Sequence, residues 1–133
     1  MGIFLEAEKA LFARLNATAA LLSVIPTTKI KSVLPQDSTL PYLRARVTRC
    51  LAYDTKTQNG LDIEYTLDVY SSYHGHKEVL EISQIIYDAL HDAPFTLAVG
   101  RNFFLRLVSQ TTFLEPDGQT SRSTLVFRAL AHN

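Results

Sequence analysis

The chain has 133 residues, 47% of them apolar and 20% charged, and its 13 basic residues balance 13 acidic ones. That length suits a single domain over 1–133 that buries roughly two-thirds of its unfolded surface. The neutral balance argues against nucleic-acid binding through a general positive field, and it leaves little repulsion to oppose self-association.

One cysteine, Cys50, excludes an internal disulfide. The acidic N-terminal stretch is not a signal peptide, and no apolar run approaches the roughly 18 residues that span a bilayer. The chain therefore reads as soluble and made in a cytoplasm, with no membrane partner.

Phe4, Leu5, Leu11, Phe12 and Leu15 recur at helical spacing, with Glu6, Glu8 and Lys9 on the wet side, and predict an opening helix. Asn16 breaks or caps it. Thr18 to Val24 reads as a second short helix or turn, ended by Pro26 because the residue before a proline disfavours helix. Lys29 to Leu34 reads as a short edge strand.

Tyr42 to Tyr53 is the next strand, and Asp54 to Gly60 is a polar loop closing on an Asn-Gly turn signal. From Leu61 the chain alternates: Leu61, Ile63, Tyr65, Leu67 and Val69 on one face, Asp62, Glu64, Thr66 and Asp68 on the other. With Tyr53 opposite Leu61, an antiparallel hairpin forms in which Leu51 meets Ile63, Val47 meets Leu67, Ala45 meets Val69 and Arg46 meets Asp68. A slide by two residues preserves these faces; a slide by one ruins them. Arg49 then falls on the apolar side and snorkels at an edge.

A turn through Ser71 to Gly75 leads into a helix from about His76 to His91, with Val79, Ile82, Ile86 and Leu90 on its apolar stripe and Asp92-Ala93-Pro94 as its stop. His91 suits the negative end of that helix as a partly protonated imidazole. Phe95 to Val99 reads as a short strand. Phe103 to Phe113 and Thr120 to Ala131 form a second hairpin across Glu115-Pro116-Asp117-Gly118.

Both faces of that hairpin are apolar: Phe103, Leu105, Leu107, Leu125 and Phe127 against Phe104, Val108, Val126 and Leu130. The expected class is α+β, a mixed, mainly antiparallel sheet with two main helices on one face. The other face is covered in part by a neighbouring subunit, or else the hairpin curls around the helix. No internal repeat is visible.

Little in the chain points to chemistry. His74 and His76 form an H-x-H pair without the cysteine or H-E-x-x-H companion of a metal site, so solvated turn residues are the simpler reading. Cys50 reads as a small half-buried strand residue, and His132 as part of a frayed tail. Nucleotide-binding glycine motifs and the G-x-S-x-G elbow are absent from the sequence. No catalytic residue, cofactor or metal is expected. Arg44, Arg46, Arg106, Arg122 and Arg128 are the notable basic set; on one sheet face they meet either local acids or an acidic partner or passing DNA.

The order of elements and several local strings resemble one family, the small tail-completion proteins of long-tailed phages and prophages, also called tail terminators or head-to-tail joining proteins. The strings are the opening helix, Leu34-Pro35 followed by Pro41-Tyr42, Leu67-Asp68-Val69-Tyr70-Ser71 with Gly75 and Glu78, Ala89-Leu90-His91, Glu115-Pro116-Asp117-Gly118, and Arg122 with Leu125 to Ala129. Tyr70 stands where many relatives carry tryptophan.

The resemblance implies a structural, non-enzymatic protein of the virion, made in a bacterial host. It implies a homo-oligomer, a hexameric ring on the end of the tail tube that stops tube growth and joins the tail to the head neck. The implied partners are the tail tube protein, the head-neck connector and, in passing, DNA in the lumen. Expected interface residues are Arg44, Arg46, Asp54, Lys56, Phe104, Arg106, Asp117, Arg122, Val126 and Arg128. Another neck or minor tail component, and a small ligand-binding α+β domain using the His74/His76 turn, are the competing readings.

Overall fold

The structure is a computed structural model and describes residues 3–33, 41–52, 60–72, 77–92, 94–96, 102–116 and 120–132. Helix α1 (Ile3–Asn16) is followed by the single turn α2 (Ala19–Leu22), a 3-10 turn at Thr27–Lys29 and the edge strand β1 (Ile30–Lys31). The long strands β2 (Tyr42–Ala52) and β3 (Gly60–Ser71) precede helix α3 (Lys77–Leu90). The short β4 (Pro94–Thr96) and the long β5 (Asn102–Leu114) and β6 (Ser121–His132) complete the chain. The strands lie in the order β1-β2-β3-β6-β5-β4, antiparallel except for β1 against β2. The expected α+β class is the one observed.

Alternation places Ile63, Tyr65, Leu67 and Val69 of β3 on one sheet face with Leu125, Phe127 and Ala129 of β6, Leu43 and Ala45 of β2, and Leu105 of β5. All are buried in one cluster with Leu11 and Leu15 of α1, Leu21 and Ile25 around α2, and Val79, Ile82, Ile86 and Leu90 of α3. The helices thus share one layer. The Tyr65 hydroxyl crosses it to donate to the Ala7 carbonyl at 3.0 Å. The Arg14 guanidinium donates to the Ala89 carbonyl near the C-terminus of α3 at 3.1 Å, where a cation complements the helix dipole.

In α1 the buried stripe is Ala7, Leu11 and Leu15, while Phe4 and Leu5 are 62% and 52% exposed. They stand against Val47 and Cys50, where the helix meets the β2 edge, rather than in the core. Glu6, expected on the wet side, is buried and lies 3.9 Å from Lys9.

The first hairpin pairs Ala45 with Leu67 and Val47 with Tyr65, a slide by two from the expected register that leaves the faces intact. A bulge at Thr48 then shifts parity, so Cys50 opposes Ile63 on the core side and Arg49 opposes Glu64 on the outer side. This corrects the expectation that Arg49 and Leu51 share the apolar face: Arg49 reaches Glu64 at 3.4 Å, and Leu51 is exposed opposite Asp62.

A second bulge, at Val108 of β5, does the same there. Val108 is the extra residue, 56% exposed, so Ser109 rather than Val108 stands opposite Val126 on the outer face, and Gln110 turns to the core side opposite buried Leu125.

The four long strands have an approximate two-fold symmetry that the residue types conceal. An axis normal to the sheet between Tyr65 and Phe127 carries β2 onto β5 and β3 onto β6. Val47 opposes Tyr65 as Leu107 opposes Phe127, and in each outer strand the bulge falls one residue later. Each hairpin follows a helix of the same layer. The sequence shows no repeat because equivalent positions hold unlike residues, Arg44 with Phe104 and Cys50 with Gln110, while Arg46 with Arg106 is a rare match.

Candidate assembly surfaces

The outer face of the sheet carries Arg44 and Arg46 of β2, Asp62, Glu64 and Asp68 of β3, Arg122, Val126 and Arg128 of β6, and Arg106 of β5, in cross-strand register. The arginines expected to share a face do share it, and carboxylates meet most of them. Arg46 donates to Asp68 at 3.0 Å, diagonally rather than directly opposite, and Asp68 also accepts from Thr124 at 2.6 Å. Arg128 forks onto Asp62, its Nε at 3.1 Å from Oδ1 and its Nη2 bonded to Oδ2. That bond, with the Asp62 charge, holds the guanidinium pKa above its ordinary value.

Arg106 lies 3.4 Å from Asp92, and Arg44 donates to the Ser32 carbonyl at 3.2 Å. Arg122 sits 3.0 Å from Glu115 and 4.6 Å above the Phe113 ring. Desolvation works against its charge, but a hydrogen bond to Tyr70 and the Glu115 carboxylate outweigh it and leave its pKa raised. The Tyr42 and Tyr70 rings pack at 4.8 Å, tilted by 31°, beside this corner; burial first, then the Tyr70 and Glu115 charges, push the Tyr42 pKa up.

Val126 is half-buried on this face. The Phe104 backbone pairs with Pro94; the Phe104 and Leu130 side chains lie outside the described residues, as do Asp54, Lys56, Asp117, His74 and His76. Leu105, Leu125 and Phe127 are buried under the chain's own helices.

His91, at the end of α3, also reaches β5. Its Nδ1 accepts the Leu107 N–H at 3.1 Å, its Nε2 lies 3.4 Å from Asp92, and its ring stacks on Tyr87. It serves as an acceptor beside the bulge of β5. Asp92 follows with φ 56, a left-handed turn that reverses the chain after α3 so that its N–H bonds the Leu105 carbonyl at 2.7 Å. Cys50 is half-buried, and burial pushes its thiol pKa up. Among the described residues no group of three or more His, Cys, Asp or Glu is placed to hold a metal, and no helix is long and apolar enough to cross a membrane.

Past the short edge strands β1 and β4, each bulged strand forms a groove with a helix. On one flank Phe4, Leu5 and Glu8 of α1 face Val47 to Cys50 of β2 across about 540 Å³. On the other, Leu80, Gln84 and Tyr87 of α3 face Leu107 and Gln110 of β5 across about 280 Å³. Sequence reasoning missed both. The signal was the width of the apolar arc in α1, where Phe4 and Leu5 add to a stripe already complete with Leu11 and Leu15.

The ends of the sheet differ from each other as well. Ala52 and Gly60, which bound the first turn, lie at one pole, and Leu114 and Ser121, which bound the second, lie at the other, because Gly60 pairs with His132 and Ser71 with Ser121. The β3–β6 ladder separates the two turns by roughly 35 Å at the usual rise per strand residue.

A small two-layer α+β domain with lateral grooves, opposed turns and no assembled catalytic group among the described residues has the build of an assembly component. Its fold is that of a chain in a solved structure titled virion of native gene transfer agent (GTA) particle, with TM-score 0.77, 20% identity, and coverage of 97% of this chain and 95% of that one. No curated protein sequence matches the chain. The profile of the family described as tail completion protein gp17 matches residues 9–132, and the chain belongs to that family. Its role is structural, the completion of a virion tail.

Proposed function

We propose that this chain forms a closed ring of identical copies, six in number, on the end of the tail tube, stops tube growth there and joins the tail to the head neck. The observation that carries this reading is the placement of the two hairpin turns at opposite poles of one sheet. A cap must meet two different neighbours, and this domain offers each a separate turn on a common rigid ladder. The segment holding Asp54 and Lys56 meets one neighbour, and the segment holding Asp117 meets the other, with Arg122 at the start of β6. Phe104 lies in the β5 segment between them.

The outer face, with Arg44, Arg46, Arg106, Val126 and Arg128, is the surface offered to the lumen or to a partner. Its arginines are already engaged, so contact with DNA there is passing rather than tight. The role is non-enzymatic.

Purified protein added to unfinished tail tubes is expected to occupy their ends in electron micrographs, stop elongation and permit joining to filled heads. Tubes that keep growing with bare ends defeat the proposal. Heads that join while tube ends stay bare favour a neck component instead.

A further inference from the structure

We infer that the groove between α3 and β5 is a socket for a tryptophan side chain of another virion protein, with the indole N–H bonded to the Gln110 carbonyl. The socket does not depend on the ring proposed above.

The groove measures about 280 Å³, and its walls are the apolar Leu80, Tyr87, Leu107 and Leu125. Stacking on His91, at 4.5 Å and 14° from parallel, fixes the Tyr87 ring. Buried Ser83 also lines the groove and begins a chain of hydrogen bonds that has one direction only. It lies 2.6 Å from the Val79 carbonyl, which can only accept, so the Ser83 proton is spent there. Ser123, 2.7 Å from Ser83, must then donate to it. With its own proton spent, Ser123 can only accept from Gln110 at 2.8 Å, which fixes the NH2 end of that amide inward. The second N–H of the amide goes to Thr112 at 2.8 Å.

Gln110 is left with its carbonyl oxygen, and that oxygen meets no donor among the described residues. Gln84, also on the groove, turns its NH2 end to Asp88 at 2.8 Å because a carboxylate only accepts, so its carbonyl is the end left over. An apolar slot edged by unspent lone pairs is complementary to a flat apolar body with an N–H at its rim. Indole is such a body, a donor with no acceptor, and tryptophan is among the side chains that anchor interfaces from within pockets. This chain has no tryptophan, so the occupant belongs to a different protein and not to a second copy.

The test uses the full, isotope-labelled chain and two probes, indole and N-methylindole, which share a body and differ in the N–H. In nuclear magnetic resonance titrations, indole is expected to shift the Leu80, Tyr87 and Leu107 amides and the Gln110 side-chain NH2 saturably. N-Methylindole is expected to bind about fivefold more weakly, the worth of one hydrogen bond. In Gln110→Met the two probes are expected to bind alike. Leu80→Glu, at an exposed wall position, is expected to keep the parent's circular dichroism and lose both probes.

Equal affinity of the two probes for the parent overturns the inference, as does indole that shifts no groove signal. Butylguanidinium that shifts these signals more strongly than indole also overturns it, in favour of an arginine. The parent titrations and Leu80→Glu decide the matter even where Gln110→Met does not fold.

Discussion

The Tyr65 hydroxyl reaches the Ala7 carbonyl through a fully buried ring, and its pKa stands far above the usual tyrosine value, first because burial disfavours the phenolate and then because of Cys50 and Glu8 nearby. A group whose folded pKa is raised contributes stability that is complete below its unfolded value, about 10, and is lost as pH climbs toward the folded one. Urea melts are therefore expected to hold steady through neutral pH and to weaken above about pH 10. Tyr65→Phe should cost about 1 kcal/mol at neutral pH and soften that alkaline loss.

Asp68 is the other telling residue. Buried, it accepts from Arg46 and Thr124, so Asp68→Ala should cost about 2–3 kcal/mol by thermal or urea melts, against well under 1 kcal/mol for Arg49→Ala, which breaks only the exposed pair with Glu64. Strand alternation alone put Arg46 and Asp68 on one face, but in a register slid by two, so the pair forms diagonally and Arg44 stands opposite Asp68. The role of His91 was not legible. Its acceptor bond depends on where β5 runs, 16 residues later in the chain.

Among elements, the outer strands owe their faces to single extra residues. Deleting Thr48 removes the bulge while keeping Val47 and Cys50 on the core side and Arg49 on the outer side, because the bulge adds one residue without which alternation runs on regularly. The Thr48-deleted chain is expected to fold with an unchanged circular dichroism spectrum, losing the Thr48 bonds to Glu64 and Thr66 and about 1–2 kcal/mol of stability. At Asp92 the left-handed turn predicts that Asp92→Gly melts close to the parent and Asp92→Val about 1–2 kcal/mol below it.

The long strands and the two main helices were readable within a residue or two from their period, whereas the short β1 and β4 were read too long and the 3-10 turn at Thr27–Lys29 was not read. Bulges were not readable. A bulge looks like a flaw in the alternation, and Arg49 on the apolar side of a regular strand was that flaw. Phe4 and Leu5 misled for another reason: periodicity reports which residues are apolar, and only the packing partner decides whether they are covered.

For the whole molecule, the balance of 13 basic and 13 acidic residues is repeated on the outer face, where Arg46, Arg106, Arg122 and Arg128 each meet a carboxylate. Gel-shift titration with duplex DNA at physiological salt is expected to show no stable complex. A tight, steeply salt-dependent complex would mean that those pairs open for phosphate.

The opposed turns also carry a mechanical consequence. A pull applied between them runs along β3 and β6 and loads their hydrogen bonds in shear, all at once, from Gly60↔His132 to Ser71↔Ser121. Hauling the strands apart sideways would instead break the bonds one at a time. In single-molecule stretching, tethers at the two turns should therefore rupture at much higher force than tethers set across the sheet.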